Sequence, residues 1–250
     1  MALLLPPDEA HLWYVVSERI GCSRLIKKYQ SLMTPEEHAR YDKFRSCSAQ
    51  FSFLITRALV RTVLSQYHDT EPQAWTFDVG AYGKPEIKTP IDAVGLNFNL
   101  ANTDGLVACA VTINRHIGVD AEAIDRPVEG ADIADRFFSP AEAAALRLLP
   151  IEEQREAFFA YWTLKEAYIK ARGLGLSLAL DKFAFRLPRG GPAAITIDPS
   201  LGDTPSRWRF FQVRPTDRHL IAVAVSQDGR PRDPGTPLTP LKLVVKSIVP

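Results

Sequence analysis

Twice along this chain a long helical stretch gives way to a series of short strands, and that repeated order restricts the fold more than any other feature. The first stretch spans residues 48–67, where Phe51, Leu54, Ile55, Ala58, Leu59 and Val63 recur at intervals of three and four. Such spacing makes one buried stripe on a helix. Arg57 and Arg61, one turn apart, are expected away from the centre of that stripe. Strands are predicted at residues 74–79, 95–100 and 106–112. The turn-rich link Ala101-Asn102-Thr103-Asp104-Gly105 joins the last two as a hairpin. A second series begins with a strand at residues 117–124 and helical texture at 131–138. The long helix Ile151–Arg172 follows, stopped by Gly173, a favoured C-terminal residue. Strands at residues 182–187, 194–197, 208–213 and 220–225 complete the series.

Each long helix is preceded by the same helix-start signature. Thr34-Pro35-Glu36-Glu37 and Ser139-Pro140-Ala141-Glu142 both place a hydroxyl at the cap, proline at the first position and glutamate where it closes a capping box. The second of these should open a helix reaching residue 149. Leu106-Val107-Ala108-Cys109-Ala110-Val111 is echoed by Leu220-Ile221-Ala222-Val223-Ala224-Val225. Any two buried strands share some of this texture, but with the repeated element order a duplicated α+β half is the better reading. The expected divisions are residues 1–115, 116–225 and a tail, 226–250. That tail holds five prolines and two glycines, too many for a regular element, although residues 241–249 are apolar enough to dock elsewhere.

Composition removes several function classes. Among 250 residues, 46% are hydrophobic and 24% charged, enough to fill a core and inconsistent with general disorder. The net charge of +1 does not suit binding to nucleic acid or an anionic membrane by bulk charge. Cys22, Cys47 and Cys109 form no C-x-x-C pair, and the five histidines show no H-E-x-x-H spacing. The opening MALLLPPDEA lacks a basic segment, and no apolar run approaches the ~18–20 residues that cross a bilayer. The expectation is a cytoplasmic protein that contacts neither membrane nor nucleic acid.

The residues that point to chemistry are acids. In Gly118-Val119-Asp120-Ala121-Glu122, strand periodicity sends Asp120 and Glu122 to one face. Two carboxylates side by side repel unless a cation or proton lies between them. Taken alone, the pair also fits an exposed strand edge with two solvated acids. In the second long helix, Phe158, Trp162 and Glu166 are spaced four apart and Ile169 follows, so Glu166 interrupts an apolar ridge. Lys170, one turn on, is its natural ion-pair partner, and such a pair also forms on helices with no function. If Asp120, Glu122 and Glu166 converge, they make an all-oxygen site suited to Mg²⁺, and phosphoryl transfer or pyrophosphate cleavage is the expected reaction class. Lys84, in the tight turn Gly83-Lys84-Pro85, is either a solvated turn lysine or a cation held towards a phosphate. Arg40, Lys43 and Arg57 supply further positive charge nearby in sequence. Gly173-Leu174-Gly175 follows a helix and lacks a third glycine, so it is not a dinucleotide fingerprint.

Taken together, "IGVDAEAID", "FFSPAE" and "YWTLKEAYIKARGLGLSLALDKFAF", with "YGKPEI" and "FNLANTDGLVACAV" upstream, resemble the 4′-phosphopantetheinyl transferases of the Sfp type. The resemblance covers roughly residues 39–225, and its W-x-x-K-E-x-x-x-K block with the upstream G-x-D-x-E is highly specific. It implies two similar α+β halves in one chain, each a long helix on a small, mostly antiparallel sheet, related by a pseudo-two-fold axis with the active site in the cleft between them. It implies an enzyme that moves the phosphopantetheine arm of coenzyme A to a serine hydroxyl of an apo acyl or peptidyl carrier protein, releasing adenosine 3′,5′-bisphosphate. By motif match, Asp120, Glu122 and Glu166 are the Mg²⁺ ligands, Glu166 also deprotonates the serine, and Lys170 neutralises charge on the pyrophosphate. Lys84, Arg57, Lys43, Asn102, Thr103 and Lys165 fall at positions expected to contact coenzyme A. Where many relatives read Ser-His-Ser or Ser-His-Thr, this chain reads Ala101-Asn102-Thr103, so a neutral amide replaces a side chain that can carry charge. A non-catalytic binding module and a Mg²⁺-dependent nucleotide pyrophosphate hydrolase are the alternatives. A chain that carries both halves itself is expected to act as a monomer.

Overall fold

The structure, a computed structural model, describes residues 2–21, 23–126, 134, 137–188, 190–228 and 240–250. The chain divides into two units, residues 1–115 with 229–250 and residues 116–228. In the first, β1 (Glu9–Val16) is followed by α1 (Ser23–Gln30), α2 (Pro35–Tyr41) and α3 (Cys47–Leu64). A hairpin of β2 (Thr76–Val79) and β3 (Pro85–Thr89) precedes a second hairpin of β4 (Leu96–Thr103) and β5 (Leu106–Ile113). With β11 (Lys242–Ser247), the main sheet has the order β11-β1-β5-β4, in which β5 is antiparallel to both neighbours. Leu54, Ile55, Ala58, Leu59 and Val63 of α3 pack with Val107, Cys109 and Val111 of β5, the stripe expected from their spacing.

Four expectations for this unit are corrected. β1 was not anticipated: six of its eight side chains, all but Glu9 and Tyr14, are buried, so the strand is covered on both faces and lacks the period-two signal. The tail was expected to have no regular element, yet β11 (Lys242–Ser247) pairs in parallel with β1. Its prolines at 231, 234, 237, 240 and 250 flank this segment and spare its ladder donors. The hairpin link is shorter than read, since β4 continues through Asn102 and Thr103 and only Asp104-Gly105 turns, with Gly105 at φ +81°. Finally, Arg61 is fully buried rather than turned away from the core. It ion-pairs with Glu37 at 2.9 Å and lies 5.3 Å from the Phe77 ring centroid.

The second unit repeats the order. β6 (Ile117–Ala123) precedes α4 (Pro140–Arg147) and α5 (Ile151–Arg172). A hairpin of β7 (Phe183–Arg186) and β8 (Ala194–Ile197) follows, then one of β9 (Trp208–Thr216) and β10 (His219–Ser226). The sheet order is β6-β10-β9, fully antiparallel. The echoed segments are thus the central strands β5 and β10, each paired on both sides, which is why both are almost wholly apolar. The α+β class with two similar halves is the one expected. Of the helical texture at 131–138, most lies outside the described residues.

Candidate active site

Gly118 determines how closely α5 can lie on β6. A Cβ there would sit 2.1 Å from the Ala167 carbonyl oxygen and 2.4 Å from the Ala171 nitrogen, so only glycine permits this backbone approach. Because strand side chains alternate, Asp120 and Glu122 share the face of Gly118. The helix stripe that meets them is Trp162, Glu166 and Lys170, spaced four apart and half-buried, between the buried Lys165, Ala167 and Ile169. Lys170 Nζ donates to Asp120 Oδ1 at 2.7 Å, and the Trp162 indole donates to the Glu122 carboxylate. The helix therefore runs antiparallel to β6, with Glu166 between these two contacts.

The electrostatics follow from this crowding. Burial first, and the neighbouring Asp120 charge second, push the Glu122 carboxyl up to about 7, against the lowering pull of Arg126, Lys170 and the Trp162 hydrogen bond. Burial and Asp120 also raise Glu166, which Lys170 offsets. Asp120 Oδ2 is buried and has no hydrogen-bond partner. Among the described residues no three acid, histidine or cysteine side chains are grouped so as to hold a metal ion as they stand. Asp120 meets Lys170 instead, and Glu122 meets Arg126 at 2.8 Å. An orphan carboxylate oxygen beside two acids that resist ionisation fits a hard divalent cation.

The end of α5 that carries Lys170 is firmly anchored. Asp203 Oδ2 accepts from Tyr168 Oη, Arg172 Nη1 and Trp208 Nε1, each at 2.8 Å, and Gly173 at φ +67° closes the helix. These hydrogen bonds outweigh burial and hold the Asp203 carboxyl below its usual range. Neither this anchor nor the Trp162 contact was read from the sequence. Asp203 stands in a loop, and Trp162 had been counted only as part of the apolar ridge.

Lys165 is a correction. It is fully buried, and its ammonium meets Glu142 Oε2 at 2.8 Å, the Leu180 carbonyl at 2.7 Å and the Phe183 carbonyl at 2.8 Å. An ammonium has three N–H groups, so none remains for a phosphate. Glu142 in turn closes the α4 capping box through Ser139 and accepts from the Phe185 backbone at 2.8 Å. The pair ties α4, α5 and β7 together.

The remaining expected contacts lie in the first unit. Lys84 sits in the β2–β3 turn, where Gly80 N donates to its carbonyl and Gly83 takes φ +82°. The side chain is half-buried, and burial lowers its pKa despite the nearby Glu86. It is therefore not a fully solvated turn lysine. Arg57 lies 5.2 Å from the Phe53 ring centroid and 3.5 Å from Glu37. Burial lowers its pKa, with Glu37 opposing and Arg61 assisting. Lys43 and Asn102 are exposed, and Thr103 is half-buried at the end of β4.

Comparison with known proteins identifies the family of the chain. The model of the 4′-phosphopantetheinyl transferase superfamily matches residues 116–224, which include all four residues of the β6–α5 site. The 4′-phosphopantetheinyl transferase HetI of Nostoc sp. is 33% identical over 227 residues, 91% of this chain and 92% of its own length. This chain belongs to that superfamily. The Sfp enzyme of Bacillus subtilis, also a 4′-phosphopantetheinyl transferase, is 31% identical over 207 residues, 83% of this chain and 88% of its own. A solved holo-[acyl-carrier-protein] synthase from Neisseria meningitidis aligns with 45% of this chain and 98% of its own, at 19% identity and a TM-score of 0.36. Among the described residues of this transferase-family chain, no helix is long and apolar enough to cross a membrane.

Proposed function

We propose that this protein transfers the 4′-phosphopantetheine arm of coenzyme A to a serine of an apo carrier protein, using the β6–α5 acids as its centre. The observation that carries the assignment to these residues is the juxtaposition of Asp120 and Glu122 with Glu166 and Lys170, with Asp120 Oδ2 left unpartnered. Asp120, Glu122 and Glu166 would hold Mg²⁺, which supplies positive charge to the pyrophosphate of coenzyme A. Glu166 takes the proton from the serine hydroxyl, and burial beside Asp120 strengthens it as an acceptor. The serine oxygen forms a bond to the phosphorus bearing pantetheine. The bond from that phosphorus to the bridging oxygen breaks, and adenosine 3′,5′-bisphosphate departs. Lys170, held by Asp120 and by a helix end anchored on Asp203, offsets charge on the departing phosphate.

Lys84, Arg57, Lys43, Asn102 and Thr103 are the proposed coenzyme A contacts, and half-burial of Lys84 and Arg57 supports the first two. Asn102 contributes a neutral amide there. Because both halves belong to one chain, we take the protein to act as a monomer, on carriers in the cytoplasm.

The test is the intact mass of an apo carrier protein incubated with this protein and coenzyme A, with Mg²⁺ and with chelator. A phosphopantetheine mass gain that disappears with chelator is expected. Consumption of coenzyme A without an adduct would identify a hydrolase, and binding without any reaction a binding module.

A further inference from the structure

One cation at the site belongs to neither sequence block that carries the family resemblance. Arg126 lies in the turn after β6, with its amide donating to the Ala123 carbonyl. Its Nη2 meets Glu122 Oε1 at 2.8 Å, and its guanidinium lies 5.2 Å from the Phe159 ring centroid. The two partners differ in exposure: the Glu122 side chain is 14% accessible and that of Arg126 49%. Glu122 is thus fixed among protein groups, while Arg126 reaches it from solvent and can leave by rotating about its own side chain. On leaving, it forfeits one partly exposed ion pair, a small cost.

Lys170 occupies Asp120 Oδ1 in the same manner, so two intramolecular cations stand against the three carboxylates. This resting arrangement still leaves the buried Asp120 Oδ2 without a partner. A divalent cation that coordinates Glu122 competes electrostatically with the Arg126 guanidinium already held at Oε1.

Resting on the reading of these acids as metal ligands, we propose that Arg126 is a built-in competitor for the divalent cation at Glu122. It lowers the affinity of the free protein for metal, and it is displaced into the edge of the site when metal enters. A released guanidinium there is positioned to meet a polyanion, so metal entry exchanges one cation at Glu122 for another and leaves Arg126 available to phosphate oxygens.

Binding of Mn²⁺ to the full chain without coenzyme A, followed by the electron paramagnetic resonance signal of the free ion, tests this. Wild type, Arg126→Gln, Arg126→Lys and Asp120→Asn are compared, with melting temperature confirming that each is folded. Arg126→Gln is expected to bind Mn²⁺ tighter by about threefold to tenfold, the range of a partly exposed charged hydrogen bond. Arg126→Lys, which keeps a competing charge, should stay within about twofold of wild type on the same basis. Unchanged or weaker binding by Arg126→Gln overturns the proposal, and loss of binding in Asp120→Asn then shows that the metal site itself stands. Wild-type binding by Asp120→Asn overturns the metal reading and the competitor role with it.

Discussion

In the first half of the chain, Glu37 closes the capping box of α2 and receives the buried Arg61 of α3. In the second, Glu142 closes the box of α4 and receives the buried Lys165 of α5. Each half thus uses one glutamate both to finish a short helix and to compensate a cation on the long helix that follows. The strands that open the halves differ. β1 reads Glu-Ala-His-Leu-Trp-Tyr-Val-Val and pairs on both edges, with β5 and β11. β6 reads Ile-Gly-Val-Asp-Ala-Glu-Ala, pairs with β10, and offers glycine for close helix approach and two acids beside it. The same architecture therefore carries a buried ion pair between two helices in each half and adds a cluster of three acids and a lysine only in the second. A buried charge by itself does not mark a functional site; a convergence of like charges on facing elements does.

The comparison breaks first if the acids of β6 and α5 are dispensable. Asp120→Asn and Lys170→Ala are each expected to lower the transfer rate by about a thousandfold, the scale of removing a charge-stabilising group. Both should stay folded, as judged by circular dichroism. Next in size is the core pair. Glu142→Ala leaves Lys165 charged and buried, at a cost of about 3–5 kcal/mol in urea unfolding. Glu37→Ala should cost less, about 1–3 kcal/mol, because its carboxylate is partly accessible and Arg61 keeps its aromatic contact.

The smallest effect concerns β1. His11 is buried against Tyr67 Oη at 2.7 Å and Glu9 at 3.0 Å, and burial, aided by Lys246 and opposed by Glu9, lowers its pKa below 6.5. The unfolded chain therefore takes up the proton first. The His11 contribution is complete above about pH 6.5 and is lost as pH falls through the lower folded-state value. Unfolding free energies measured between pH 5 and 7 should show this slope in wild type and a flatter one in His11→Gln.

How much of this was legible in the sequence depended on where polarity is visible. The end of α5 was legible because Gly173 stops it, and both capping boxes because their residues lie close together in the chain. β1 was missed because a strand buried on both faces shows no alternation. Arg61 and Lys165 were misplaced because a long cation looks alike in sequence whether it is solvated or paired in a core. Their partners, Glu37 and Glu142, lie on other helices. For the same reason Trp162 appeared to be an apolar ridge residue, and its hydrogen bond to Glu122 emerged only from the packing of α5 on β6.

The central claim is that the β6–α5 acids perform chemistry while Glu142 only secures the fold, and transfer per folded molecule in two isosteric variants separates these roles. Intact carrier mass followed over time in the presence of Mg²⁺, beside urea unfolding of the same samples, reads both quantities. Glu166→Gln is predicted to unfold near the wild-type midpoint and to give no phosphopantetheine adduct. Glu142→Gln is predicted to unfold much earlier, with its folded fraction still transferring at close to the wild-type rate. Adduct formation by Glu166→Gln at the wild-type rate would contradict the account.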